Sequence, residues 1–165
     1  MRTFVVIFFM SVLVSGCAAT GPNYSKHVSE ASAQDASSAR LVVFRTRESS
    51  QYSGRAVSVK VDGKSLGSCD YAGFNVFDIT AGKHTLTVDM WDSPGACELP
   101  IDVSGGSEYF FEIKPRPGNL VGGLVGGLLG AAIESAGKQC GGAFAVEPIA
   151  KDLAIPKLAE LKMTQ

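Results

Sequence analysis

Seven residues of this chain are candidates for chemical roles: one serine within a motif, two histidines and four cysteines. Ser65 lies within Gly63–Gly67, which matches the G-x-S-x-G pattern of serine hydrolases. That chemistry places the serine on a sharp turn between a strand and a helix, with a histidine later in the chain. Here the pattern overlaps the hairpin signal Asp62-Gly63, runs into a strand-like segment and is followed only by His84. We therefore expect no catalytic residue and predict that the chain is not an enzyme.

Composition excludes several other classes of function. A structural zinc site needs four clustered ligands at characteristic spacings, and the cysteines and histidines do not offer them. We predict no metal and no cofactor. The 15 basic and 16 acidic residues nearly cancel, and no Lys/Arg cluster or nucleic-acid-binding motif is present. A nucleic-acid partner is therefore not expected.

The first 17 residues have the layout of an export signal. Met1-Arg2-Thr3 is a short basic start, and Phe4–Val14 is almost wholly apolar but too short to span a bilayer. Val14-Ser15-Gly16-Cys17 resembles the lipobox of bacterial lipoproteins, in which the cysteine thiol is acylated and becomes the new N-terminus. We predict cleavage after residues 1–16 and lipidation of Cys17. The resemblance to Gram-negative lipoproteins, with Ala18 and not Asp next, implies an outer-membrane anchor, with the domain facing the periplasm.

Three cysteines remain after lipidation. In an oxidising compartment, one disulfide and one free thiol is the simplest outcome for Cys69, Cys97 and Cys140, and three pairings are open. Cys97 and Cys140 each open a strand-like run in phase with its apolar residues. We favour the Cys97–Cys140 pair.

The rest of the chain divides into a tether, a β domain and a tail. Residues 17–39 are rich in Ser, Ala and polar types, which predicts a lipidated N-terminus and flexible tether with an exposed His27. From 40 to 150, short β-type runs alternate with turn signals, which predicts an all-β fold, an antiparallel β-sandwich of about seven or eight strands. The tail, 151–165, is expected to hold a short helix at 156–163, with Pro156 in its first turn.

A glycine-rich insert, 118–142, interrupts the β pattern. Gly118, Gly122, Gly126 and Gly130 recur every four residues, and in a helix they would form a smooth stripe against which another helix could pack. Interior glycines also weaken a helix, so a long loop is the alternative to a helical insert. Self-association or membrane association through this stripe is a candidate role, and an oligomer is therefore possible.

Two stretches carry a resemblance to a known family. Val59–Gly67 (VKVDGKSLG) and Phe77–Val88 (FDITAGKHTLTV) look like the hairpins of PEGA-like sandwich domains. The arrangement from 39 to 149 resembles a bacterial lipoprotein family known only as a domain of unknown function. The resemblance implies a fold and a location but no activity. We expect a non-catalytic envelope module that binds a protein, peptide or glycan or acts as a spacer, with loops 47–55 and 92–96 as candidate contact regions.

Overall fold

The computed structural model describes residues 18–30, 35–116 and 140–165. Its regular elements, numbered in chain order, are two helices and nine strands. They are α1 Tyr24–Glu30, β1 Ser38–Arg45, β2 Val57–Val61, β3 Lys64–Cys69, β4 Gly73–Thr80, β5 Gly82–Asp89, β6 Ala96–Val103, β7 Glu108–Pro115, β8 Phe144–Ile149, α2 Lys151–Leu158 and β9 Lys162–Met163. The strands form a five-stranded and a four-stranded sheet, which confirms the predicted all-β sandwich.

The five-stranded sheet has the order β8-β7-β1-β4-β9. Its central strand β1 pairs antiparallel with β4, with Leu41 opposite Phe77, and parallel with β7, with Leu41 beside Tyr109. β9 also runs parallel to β4. These two parallel pairs depart from the antiparallel arrangement that we expected. A parallel pair needs a long connection, so neighbouring runs in the sequence do not reveal it.

The four-stranded sheet has the order β3-β2-β5-β6, and all its pairs are antiparallel. Asp62 and Gly63 join β2 to β3 with φ angles of 51° and 75°. Both lie in the left-handed region that a two-residue type I′ hairpin requires and that an Asp-Gly pair tolerates. The hairpin predicted at this position is therefore present.

The main hydrophobic core lies between the two sheets. Leu41 and Val43 of β1 and Val57 and Val59 of β2 belong to it and are fully buried. Val42 and Phe44, the alternate residues of β1, are equally buried but belong to a second core. β1 is thus covered on both faces, which explains its continuous apolar run.

The second core lies against the outer face of the five-stranded sheet, under α1, α2 and the C-terminal segment. Tyr24 of α1 is 6 % exposed, and its ring meets that of Phe74 edge-on with 5.4 Å between centroids. The expected flexible tether over 17–39 is therefore wrong for the part that the structure describes before β1. His27 is half-buried, with its ring 6.0 Å from the Phe74 ring, and is not the free side chain that we expected. Apolar cover for the sheet outweighs the polar composition of this segment.

The C-terminal helix lies earlier than predicted. It spans 151–158 and not 156–163, and Pro156 lies inside it. Proline removes the hydrogen bond to the carbonyl four residues earlier, here that of Asp152, which is exposed and can bond to water. Ala154 and Leu158 of the helix belong to the second core, as does Leu161, which is buried just before β9. Packing of these apolar residues decides the helix bounds more strongly than the proline signal.

At one end of the sandwich, strand ends from both sheets lie close together. We call this the Arg45 end. The strand registers bring four pairs of residues to it: Arg45 with Gly73, Pro115 with Phe144, Val57 with Cys69, and Asp89 with Ala96. The short loop from Cys69 to Gly73 passes from one sheet to the other at this end. The loops 46–56, 70–72 and 90–95 therefore lie at the same end of the sandwich.

Candidate binding surface at the Arg45 end

A shallow groove of about 680 Å³ opens on the outer face of the four-stranded sheet, beside the Arg45 end. Strand alternation positions its polar lining: Ser58 and Lys60 of β2 face the groove, while their neighbours face the core. Asp89 of β5 lies opposite β2, and its Oδ2 accepts a hydrogen bond from Lys60 Nζ at 2.5 Å. Ser68 of β3 completes the polar set. The groove thus offers a cation, a carboxylate and hydroxyl groups, which suits a polar ligand.

Trp91 borders the groove and is 82 % exposed. The guanidinium carbon of Arg55 lies 5.6 Å from the centre of its ring, and Arg55 also forms a 2.9 Å ion pair with Asp92. The two candidate contact loops, 47–55 and 92–96, therefore meet at this tryptophan. The sequence predicts that both segments are loops, as the structure has them, and it predicts that Trp91 ends a strand, whereas β5 ends at Asp89.

Arg45 holds the first of these loops in place. It is 1 % exposed, and its guanidinium donates hydrogen bonds to the carbonyl oxygens of Gln51, at 2.6 Å, and Arg55, at 2.9 Å. The guanidinium carbon lies 4.7 Å from the centre of the Phe144 ring and 5.4 Å from that of Tyr71. Burial lowers the pKa of Arg45. In the sequence this arginine is simply the last residue of a strand, so its clamping role is visible only in the structure.

His84 does meet a carboxylate, but in an arrangement unlike that of a general base. Its Nδ1 lies 2.6 Å from Asp62 Oδ2 and its Nε2 lies 2.9 Å from the carbonyl oxygen of Thr80. Both partners accept hydrogen bonds, so the ring donates from both nitrogens, as only the protonated form can. The hydrogen bond that His84 donates to the Asp62 carboxylate raises the pKa of His84 and lowers the pKa of Asp62. The pair fastens the Asp62-Gly63 turn to the start of β5.

Ser65, the serine of the G-x-S-x-G pattern, is exposed on β3. Within the described part of the chain, no hydrogen bond joins it to His84, whose two ring nitrogens are already engaged. The strand–turn–helix elbow that the hydrolase motif requires is replaced by a hairpin strand. In this arrangement His84 does not act on Ser65, because its two ring nitrogens bind Asp62 and the Thr80 carbonyl.

The structure joins Cys97 and Cys140 in a disulfide and leaves Cys69 as a free thiol. Cys97 is the second residue of β6, and Cys140 lies opposite it just before β8, so the bond links the two sheets at the Arg45 end. Cys69 is fully buried, and its Sγ lies 3.4 Å from the carbonyl oxygen of Gly73. Burial raises the pKa of this thiol to about 12, which makes it a poor nucleophile.

Two sets of predicted site residues lie outside the described residues: Cys17 and the glycine stripe, Gly118, Gly122, Gly126 and Gly130. Their described neighbours are nevertheless informative. Ala18 forms a parallel bridge with Tyr71 at the Arg45 end. The described residues on either side of the insert are Arg116 and Cys140, and Arg116 donates from its guanidinium to the Gly142 carbonyl at 2.9 Å.

Within 18–30, 35–116 and 140–165, no group of three or more His, Cys, Asp or Glu side chains is arranged to hold a metal ion. Among the helices in those ranges, none combines the length and hydropathy needed to cross a bilayer. No protein-family model matches the chain, and no curated protein matches it.

Proposed function

We propose that this chain is an exported bacterial lipoprotein, anchored through acylated Cys17 to the outer membrane, whose PEGA-like sandwich is a non-catalytic binding module of the cell envelope. The groove lined by Ser58, Lys60, Ser68 and Asp89 is its binding surface. The observation that carries the proposal is the joint position of this groove and of Ala18, the residue next to the lipidation site, at one end of the sandwich.

The anchor is supported by the order of basic, apolar and small residues before Cys17. It is supported further by Ala19, whose backbone N–H donates to the carbonyl oxygen of Tyr71 at 3.3 Å. A chain cleaved before Cys17 would start one residue before this docked segment. The new N-terminus would therefore be at the domain surface, where an acyl group can reach a bilayer.

Binding is favoured over catalysis by the chemistry of the polar groups. His84 has both ring nitrogens engaged, and the thiol of Cys69 is buried with a raised pKa. Lys60 and Asp89, in contrast, are each partly exposed in the groove, with 33 % and 24 % of their side chains accessible. Together with the serine hydroxyls they can donate to and accept from a peptide backbone or the hydroxyl groups of a glycan, which are the two ligand classes of this proposal.

Intact mass and membrane fractionation of the protein from its native host test the anchor. We expect a mature N-terminus at Cys17 with added acyl mass, recovered in the outer-membrane fraction, and loss of both in Cys17→Ala. An unmodified, soluble periplasmic product from the unaltered gene would contradict the proposal.

Photo-crosslinking in intact envelopes tests the groove. A photoreactive residue replaces Ser68 in the groove or, as the control on the same strand, Lys64 at the opposite end of β3. Crosslinks to a glycan or a peptide at position 68, absent at 64 and weakened by Lys60→Ala, support the groove. Equal yields at the two positions would argue against it.

A second candidate function is self-association through the glycine stripe, favoured by its four-residue spacing. Residues 118–138 can be replaced by a short linker, since Arg116 and Gly142 are in hydrogen-bond contact. Loss of oligomers after this deletion, with crosslinking at Ser68 unchanged, would favour self-association over groove binding as the source of assembly.

A further inference from the structure

We propose that the Arg45 end of the sandwich rests directly on the lipid bilayer, with Trp91 in the headgroup region. This inference depends on the acylation of Cys17 in the proposed function and adds to it a fixed orientation of the domain. Three observations lead to it: the docked N-terminal segment, the position of the exposed tryptophan, and the position of the described residues that flank the apolar insert.

The N-terminal segment is docked and leaves almost no slack between the domain and a lipid on Cys17. Ala19 is 9 % exposed, and Gly21 donates from its backbone N–H to the carbonyl oxygen of Met163 at 2.9 Å. A Cβ on Gly21 would lie 2.5 Å from that oxygen, so the approach is close. Consecutive Cα atoms are about 3.8 Å apart, so Cys17 lies within about 4 Å of Ala18. An acyl chain there draws the Arg45 end to the membrane surface.

Trp91 lies at this same end and is the most exposed large hydrophobic side chain among the described residues. A single exposed apolar side chain needs no explanation in itself. Its position beside Arg55 matters, because an indole ring combines an apolar body with a polar N–H and is favoured at the boundary between headgroups and acyl chains. The arginine next to it can reach headgroup phosphates.

The described flanks of the insert lie at the same end. β7 ends at Pro115, and Cys140 is disulfide-bonded to Cys97 at the start of β6, so both flanks are at the Arg45 end. The sequence between those flanks contains the apolar run 120–133. Ala18, which follows the lipidation site in the chain, the exposed tryptophan and both flanks of this apolar segment therefore share one end.

Opposite charges nearly balance at this end, so charge does not drive the contact. The exposed cations of the Arg45 end are Arg47, Arg55 and Lys162, which lies opposite Gly73. The carboxylates of Glu48, Asp70 and Asp92 accompany them, and Asp92 is paired with Arg55. We therefore expect the orientation to form on uncharged phosphatidylcholine vesicles and to persist at high salt.

Tryptophan fluorescence of the full acylated protein tests the inference, because Trp91 is the only tryptophan in the chain. The protein is purified from membranes, its acylation is established by mass, and it is reconstituted in phosphatidylcholine vesicles with or without brominated acyl chains. We expect a blue shift relative to the exposed indole and a loss of about half the emission with brominated lipid, as for an interfacial tryptophan. Two single-tryptophan controls in a Trp91→Phe background, Lys64→Trp at the opposite end and Leu153→Trp on α2, should show no quenching.

Each outcome decides between the two proposals. Quenching confined to position 91 supports the orientation. Acylated, vesicle-bound protein whose Trp91 emission is unquenched, or quenching at 153 in place of 91, overturns the orientation and leaves the anchor standing. Protein that carries no acyl mass overturns the anchor and the orientation with it.

Discussion

Lys157→Met should destabilise the protein much more than Lys151→Met, although both lysines lie on α2 and both pair with a glutamate of β7. Lys157 Nζ donates to both carboxylate oxygens of Glu112, at 2.8 and 3.1 Å, and the Glu112 side chain is only 2 % exposed. Lys151 pairs at 3.0 Å with Glu108, but its own side chain is 66 % exposed. Lys157→Met thus removes a positive charge from a buried carboxylate and from exposed Glu48, which lies 2.9 Å away, whereas Lys151→Met removes one from a surface ion pair.

The expected magnitudes follow from this burial. Leaving a buried charge without its partner costs about 3–5 kcal/mol, and Lys114, 3.6 Å from Glu112, remains to reduce the cost to about 2–3 kcal/mol. A surface pair contributes about 0–1 kcal/mol. Lys151 also lies 5.8 Å from the centre of the Phe110 ring, and its loss should still total only about 1 kcal/mol.

Equilibrium urea unfolding, followed by far-UV circular dichroism on the mature domain with Cys17→Ser, measures both changes. Glu112→Gln in the Lys157→Met background should restore about 1 kcal/mol, because it removes the uncompensated charge. Hydrogen bonding to Glu112 raises the pKa of Lys157, so this contribution is present below the unfolded lysine pKa and is lost as pH rises through the folded value. Equal losses for Lys157→Met and Lys151→Met, within about 0.5 kcal/mol, would refute this account of Glu112.

Three further predictions concern a titrating pair, a thiol and a close approach. NMR titration should place the pKa of His84 above its usual range and show a lower pKa in Asp62→Asn. The pair stabilises the fold below the pKa of an unfolded histidine, and this stabilisation is lost as pH rises through the folded pKa. An unchanged pKa in the variant would contradict the pairing. The Cys69 thiol should resist alkylation at neutral pH in the folded protein and react fully after unfolding, whereas rapid labelling of the folded protein would contradict its burial. Gly21→Ala should lower the free energy of unfolding by about 1–3 kcal/mol, because a Cβ there meets backbone atoms. Gly54→Ala has open space around it and should change the free energy of unfolding by less than about 0.5 kcal/mol. Similar values for the two variants would show that the N-terminal segment is not docked.

The strands and turns of this protein could be predicted well from short stretches of sequence. Alternation of apolar and polar residues in β2 and β5 reports which side chains face a core, and an Asp-Gly pair suits left-handed backbone angles wherever it occurs. The strands and the Asp-Gly turn depend on neighbours along the chain, so local patterns contain them. The phase of the two strand-like runs also favours the Cys97–Cys140 pair, and the structure contains that disulfide although its cysteines are 43 residues apart.

The candidate surface was decided by contacts between distant parts of the chain. The parallel pairing of β1 with β7, the docking of Ala18 against Tyr71 and the placement of α2 each join residues far apart in sequence. Arg45 reads as an ordinary strand residue until two aromatic rings and two loop carbonyls surround its guanidinium. The free energy gained by burying apolar surface depends on the area buried and not on the separation of the residues in sequence. Only the folded chain therefore determines which surfaces cover one another and which end remains exposed.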